Sequence, residues 1–285
     1  MNIEIIQIIG SIILALIPAL VWGYIFYKKQ PEDKGLVVIT FISGAIAVFP
    51  ILVYKYLWQF FPWINAFQYT EMFQEDIIGF TRFTVIPLSV IMTFMLVGVL
   101  EEAMKIWGVK VVDRNKFRHI DDAIEFCIIA ALGFSFAENI LYFYNIWAAQ
   151  GPEQVFVPFL FRSAFSTFAH LMFSGIYGYY YGIAHFAKPI LQEEIRKKRY
   201  LWTKTLHKIT HLKGEIFFRE EKLIEGFLIA VTFHAIFNIF LEMNWTFLIV
   251  PFLVSGYITL SYLFIKKENH KRYDKLHVRV KEFFI

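Results

Sequence analysis

Seven stretches of this chain are each long and apolar enough to cross a bilayer, and this constrains the fold more tightly than anything else in the sequence. They run over residues 3–27, 36–61, 84–109, 122–147, 155–187, 223–242 and 245–265. A spanning helix uses about 20 mostly apolar residues to cross a hydrocarbon core of about 30 Å. Lipid offers no partner to a free backbone N–H or C=O, so each stretch is expected to be helical. The stretch 155–187 is long for one span, which predicts tilt or extension beyond the bilayer. The first stretch is not a secretory signal, because it carries Glu4 early, lacks a basic start and outruns an h-region. The chain is 58% hydrophobic and 18% charged, with 33 Phe, which leaves too little polar sequence to coat a soluble fold. Disorder, collagen and basic nucleic-acid-binding arms are excluded on the same grounds. Cys127 is the single cysteine, so no intrachain disulfide exists and packing is its expected role.

The basic residues test the count. Of 28 Lys and Arg, 24 fall in alternate connections: after the first, third and fifth stretches and in the C-terminal tail. The other connections hold only Arg82, while Lys55, Lys105 and Arg162 lie inside stretches. Basic residues accumulate on the cytosolic side. The sequence therefore predicts an all-α polytopic transmembrane bundle of about seven spans, N-terminus outside and C-terminus cytosolic. The net charge of +4 reflects cytosolic flanks beside anionic lipid and calls for no nucleic-acid partner. Three regions follow: 1–83, two spans and an outer loop; 84–265, a membrane core with a cytosolic loop at 188–222; and 266–285, a basic tail. Residues 62–83, with Pro62, Trp63 and Tyr69, are expected at the outer interface. Within 192–209, Ile195, Leu201, Trp202, Leu206 and Ile209 alternate with basic residues. That pattern fits either a membrane-surface amphipathic helix or a solvated extension of the fifth span.

Ionisable groups inside a membrane cost at least ~2.5–3.5 kcal/mol each and mark function by default. This chain has Glu101, Glu102 and Lys105 in the third stretch, and Glu125, Glu138 and Asn139 in the fourth. Arg162, Ser163, Ser166 and His170 lie in the fifth, His234 and Asn238 in the sixth. Glu101 and Lys105 are spaced i, i+4, and Glu102 and Lys105 i, i+3, so both pairs share a helix face. His234 and Asn238 are also i, i+4, and Arg162, Ser166 and His170 follow at i, i+4 and i+8. Polar stripes on four apolar helices must converge to be satisfied. Asp121 and Asp122 suit the positive N-terminus of the fourth helix, Lys55 is expected to snorkel, and Glu125 to face the cytosolic boundary.

The available chemistry is that of carboxylates, two imidazoles and an amide. A carboxylate in a dry pocket can act as general base on a bound water, and imidazole and amide groups can stabilise an oxyanion. The same set suits a divalent metal with one position left for water. No HExxH is present, and Ser163 and Ser166 lack a nucleophile-elbow context. The structural alternatives stay open: glutamates neutralised by Lys105, core histidines, and an Arg162 that only balances a carboxylate.

Four elements in order, LEEAMK (Glu101, Glu102, Lys105), GFSFAEN (Glu138, Asn139), RSAFSTFAH (Arg162 to His170) and HAIFN (His234 to Asn238), resemble the PrsW family of intramembrane proteases. The likeness spans about residues 98–240, and that family is distantly similar to CAAX prenyl proteases and Abi-type membrane proteins. It implies that Glu101 is the candidate general base, with Glu102 beside it orienting the site or sharing the proton. It implies that Glu138 and His170 complete the site, and that His234 and Asn238 polarise the scissile carbonyl. Lys105, Asn139 and Arg162 are then supporting residues. If a metal such as zinc is used, its ligands come from Glu101, Glu138, His170 and His234; the family has been described both as metal-dependent and as glutamate-dependent. The implied function is an intramembrane endopeptidase cutting a transmembrane protein near the bilayer surface, by analogy an anti-sigma-factor-like regulator, in a multi-pass protein of the bacterial cell membrane. Two other classes stay open: a proton- or cation-translocating protein using the same carboxylates, which predicts ion flux, and a non-catalytic immunity-type scaffold, which predicts tolerant motifs. Against the first, no internal repeat is found.

Overall fold

The computed structural model describes residues 3–29, 34–81, 84–112, 117–197 and 214–266. Its helices are α1 (Ile3–Lys29), α2 (Lys34–Ile46), α3 (Phe49–Leu57), α4 (Leu88–Val112), α5 (Ile120–Gln150), α6 (Phe156–Phe161), α7 (Thr167–His185), α8 (Ala187–Arg196), α9 (Gly214–Glu242) and α10 (Thr246–Ile265). A short antiparallel hairpin, β1 (Ile77–Thr81) and β2 (Thr84–Pro87), precedes α4, with Ile78 opposite Ile86. The fold is an all-α polytopic membrane bundle.

Among the described residues, six helical segments are long and apolar enough to cross a membrane: Ile3–Tyr24, Lys34–Leu57, Ile120–Gln150, Pro152–His185, Gly214–Glu242 and Thr246–Ile265. Helix α4 has the length as well, 25 residues, but Glu101, Glu102, Lys105 and Lys110 lower its apolarity. It lies between α2, α5 and α9, where protein surrounds Glu102 and Lys105, while Lys110 near its end is exposed.

Several boundaries differ from the sequence pattern, each for a local reason. The second stretch is two helices, broken at Ala47–Val48 ahead of Pro50, whose ring cannot continue a helix from the preceding turn. The third stretch does not start as helix at Thr84. Residues 84–87 are extended and paired with β1, as the β-branched run Thr84–Val85–Ile86 favours, and α4 starts immediately after Pro87. Helix α9 begins at Gly214 rather than Leu223, so Glu215, Arg219, Glu220 and Lys222 ride on its first turns. Residues after the fifth span form a separate helix, α8, following a break at Phe186 (φ −100°, ψ 30°). Ala187 and Leu191 of α8 pack on Phe218 of α9. The rest of the basic loop, with Leu201, Trp202, Leu206 and Ile209, and the tail from 267 onward lie outside the described residues.

Helix α5 is the axis. Its apolar window is 67% buried, against 22% for α1, so α5 is a core helix and α1 a peripheral one, with Ile13, Leu20 and Val21 open to lipid. Asp122 closes the start of α5, its Oδ2 accepting from the backbone N–H of Arg118 (2.7 Å) and His119 (3.0 Å), the capping role its sequence position predicts. Ile124, Ile128 and Leu132 of α5 meet Leu171, Met172 and Ile176 of α7, Phe237 of α9 and Leu260 of α10. Lipid tails are as apolar as this core, so close packing has to hold it together. At the crossing of α2 and α5 the backbones touch: a Cβ on Gly44 would sit 1.9 Å from the Ala130 carbonyl oxygen, and one on Gly133 1.9 Å from that of Phe41.

The long segment Pro152–His185 is interrupted by a π-helical turn, Arg162–Ser166. Such turns cluster at functional sites because they free backbone groups and re-aim side chains. Here the Ser163 carbonyl accepts from the Trp22 indole N–H of α1 at 3.4 Å, and Trp22 stacks on Phe168 (5.4 Å between ring centroids).

Candidate active site

The polar stripes of α4, α5, α7 and α9 do converge. Glu102 and Lys105 are each 1% exposed, and their side chains meet at 2.6 Å. Lys105 Nζ also donates to Nδ1 of His170 at 2.8 Å, and lies 3.8 Å from Glu101 Oε2 and 4.8 Å from the Phe134 ring centroid. Glu102 accepts from Nδ1 of His234 at 2.8 Å and from the Ser174 hydroxyl at 3.3 Å. Glu102 is therefore saturated: ammonium, imidazole and hydroxyl all point at it. That matches what a buried charge requires, a partner and full hydrogen bonding.

The two glutamates point in different directions, as adjacent helical residues do, about 100° apart around the axis. Glu101 faces a space bounded by His170 and His234. Its Oε2 is buried and accepts no well-aligned hydrogen bond, although His234 Nε2 is 3.6 Å away. Across the site, Glu138 Oε2 is likewise without an aligned donor, at 3.0 Å from His170 Nε2 and 2.9 Å from Arg162 Nη2. One ligand atom each from Glu101, His170 and His234 lie within 4.8 Å of one another.

The hydrogen bonds assign the ring protons. An ammonium only donates, so Lys105 makes His170 Nδ1 an acceptor and leaves the proton on Nε2. A carboxylate only accepts, so Glu102 fixes the proton on His234 Nδ1 and leaves a lone pair on Nε2, turned toward Glu101. Both imidazoles are thus oriented from behind by buried charges, as second-shell groups orient metal ligands and catalytic bases.

A supporting cluster lies beside Glu138. Arg162 Nε donates to Asn139 Oδ1 at 2.5 Å, and its guanidinium stacks over Tyr142 at 4.4 Å. Asn139 Nδ2 reaches Thr167 Oγ1 at 3.3 Å, which also accepts from Ser135 at 3.1 Å. The π turn stands between Arg162 and His170, yet both reach the same carboxylate.

The structure therefore brings together Glu101, Glu102, Lys105, Glu138, Asn139, Arg162, His170 and His234. Asn238, one turn beyond His234, has no polar partner among the described residues. Glu138 is not in the three-residue ligand group. Sequence spacing missed Ser174, which lies i+4 from His170 and was visible by the same rule, and Trp22, Ser135, Tyr142 and Thr167, which carry no charge and look like ordinary span residues.

Residues 32–209 match the profile described as PrsW family intramembrane metalloprotease. The chain belongs to the PrsW family. It is 26% identical over 246 residues to Protease PrsW of Oceanobacillus iheyensis, covering 84% of this chain and 87% of that protein. It is 29% identical over 199 residues to Protease PrsW of Shouchella clausii (68% of this chain, 75% of the relative), and 26% identical over 170 residues to that of Bacillus subtilis strain 168 (58% and 64%). No solved structure matches the chain significantly. The PrsW assignment makes the chain a multi-pass bacterial membrane protein and supports a membrane protease. The family description names a metalloprotease, and the Glu101–His170–His234 cluster fits that description. It offers two imidazoles and one carboxylate, a donor set that leaves a catalytic zinc an open position, and one of its buried oxygens has no aligned donor.

Proposed function

We propose that this protein is an intramembrane endopeptidase that hydrolyses a peptide bond of a transmembrane substrate at the space between Glu101 and Glu138. The observation that carries the reading is the pair of buried carboxylate oxygens without aligned donors, facing the Nε2 atoms of two histidines. Glu101 Oε2 has only longer contacts, such as His234 Nε2 at 3.6 Å; a buried acceptor left so is costly, and a bound water would satisfy it.

In this reading Glu101 takes a proton from the attacking water while the water oxygen bonds to the scissile carbonyl carbon. His170 Nε2–H, with the Asn238 amide one turn from His234, donates to the developing oxyanion. Glu101 then returns its proton to the departing amine as the C–N bond breaks. Lys105 and Glu102 hold both imidazoles in place, and Arg162 and Asn139 hold Glu138.

Glu101, His170 and His234 are the residues that would hold a divalent metal such as zinc, which when bound polarises the carbonyl and acidifies its water. His170 would present a lone pair there only if Lys105 Nζ passed a proton to Nδ1 while the Nε2 proton passed to Glu138, 3.0 Å away. The hydrogen bond from Lys105 to His170 Nδ1 favours the first, glutamate-type reading, in which His170 stays a donor.

We further propose seven spans, α4 included, with the N-terminus outside and residues 84–265 as the catalytic core. At about 1.5 Å per residue, Glu101 lies roughly 20 Å along α4 from its outer end and His234 roughly 12 Å along α9. On this reading the reacting groups lie below the outer ends of their helices, within the span. A single-span regulatory protein of the anti-sigma-factor kind is the substrate that family analogy suggests. Co-reconstitution with such a substrate, with and without Glu101→Gln, tests the proposal; ion flux in place of cleavage would support the transport reading instead.

A further inference from the structure

A second site lies at the other end of the bundle. The ends of α4, α7 and α9 opposite the hairpin enclose a cavity of about 730 Å³ that no catalytic residue lines. Its apolar wall is Phe117, Tyr181, Phe186 and Leu223, and its charged rim is Lys110, Lys188, Arg219, Glu215 and Glu220. Arg219 and Glu220 neutralise each other at 2.6 Å. Lys110 and Lys188 have no anionic partner among the described residues, and stand against the single carboxylate of Glu215. The site thus has an excess of one positive charge over an aromatic floor. The sorting of basic residues puts this end in the cytosolic leaflet interface, where basic pockets between spanning helices take lipid head groups.

We infer that this cavity binds the phosphoryl head group of an anionic phospholipid, the phosphate between Lys110 and Lys188 and the glycerol region on Phe117, Tyr181 and Phe186. A monoanionic head group balances the charge excess, and the apolar wall distinguishes a lipid from free phosphate. The inference does not depend on the proteolytic reading, since the cavity shares no residue with the Glu101–His234 centre.

The test is native mass spectrometry of the full chain in non-ionic detergent, titrated separately with phosphatidylglycerol, phosphatidylethanolamine, phosphatidylcholine and inorganic phosphate. Phosphatidylglycerol is expected to bind with the highest occupancy, and its affinity to fall about fivefold for each lysine removed in Lys110→Gln and Lys188→Gln. The double Lys→Arg variant is expected to keep binding, which separates lost charge from lost fold. Lys197→Gln, outside the cavity, is expected to change nothing. Equal binding of phosphatidylglycerol and phosphatidylcholine, an unchanged double Lys→Gln variant, or an equal loss on Lys197→Gln would overturn the site. Saturation by inorganic phosphate that abolishes any preference for lipid would overturn the lipid assignment.

Discussion

His234 Nδ1 lies 2.8 Å from Glu102 Oε1, across 132 residues of sequence, and the same ring turns its Nε2 toward Glu101. One imidazole therefore joins two adjacent glutamates in different surroundings: Glu102 accepts from Lys105, His234 and Ser174, while Glu101 keeps a buried oxygen with no aligned donor. Four consequences can be measured.

Among the described residues, Lys105 is the one Lys or Arg in direct contact with Glu102. Lys105→Met leaves that carboxylate buried with one charge partner removed, and such losses cost about 3–5 kcal/mol. The variant is expected to unfold at markedly lower temperature or denaturant than wild type, read by intrinsic fluorescence in detergent. Wild-type stability would show that Glu102 does not depend on this pair.

Gly133 is a packing requirement, since a Cβ there meets the Phe41 carbonyl oxygen. Gly133→Ala must push α2 away from α5, and overpacking of this kind costs about 1–3 kcal/mol. Thermal unfolding of the purified variant checks the figure. Gly35→Ala, with open space around the added carbon, is the control.

In the proposed mechanism Arg162 acts through Glu138, its ion-pair partner at 2.9 Å. Arg162→Gln removes the ion pair and the stacking on Tyr142 but can still hydrogen-bond Asn139. Cleavage is expected to fall by about tenfold or more, a loss of about 1.4 kcal/mol, with the protein still folded by circular dichroism. Unchanged turnover would make Arg162 a charge balance only.

Metal uptake has a defined sign with pH. Ligands must be deprotonated, so affinity falls as pH falls. On the metal reading, zinc titration against a chromophoric chelator gives one site, weaker at lower pH and lost in His234→Ala. Uptake unaffected by His234→Ala would remove the metal reading from this cluster.

Much of this was legible in the sequence. The bundle followed from apolar length, and the convergence of Glu101, Glu102, Lys105, Glu138, Arg162, His170 and His234 from the cost of charge in lipid together with helical spacing. Local backbone events were not legible. The hairpin at 77–87 hides inside an apolar run, and the π turn at 162–166 leaves no compositional mark. Nor was the division of labour between Glu101 and Glu102 visible, because spacing says which residues share a face and not which oxygen is left without a donor. Asn238 shows the converse: its spacing matched the motif, yet among the described residues nothing polar engages it.

The central claim is that Glu101 performs chemistry while Glu102 maintains structure. The most direct measurement is cleavage of a tagged single-span substrate in proteoliposomes by wild type and by Glu101→Gln, alongside the unfolding temperature of each. Full-length stability with product formation reduced by about a hundredfold or more is the predicted result. A Glu101→Gln protein that cleaves like wild type would contradict it.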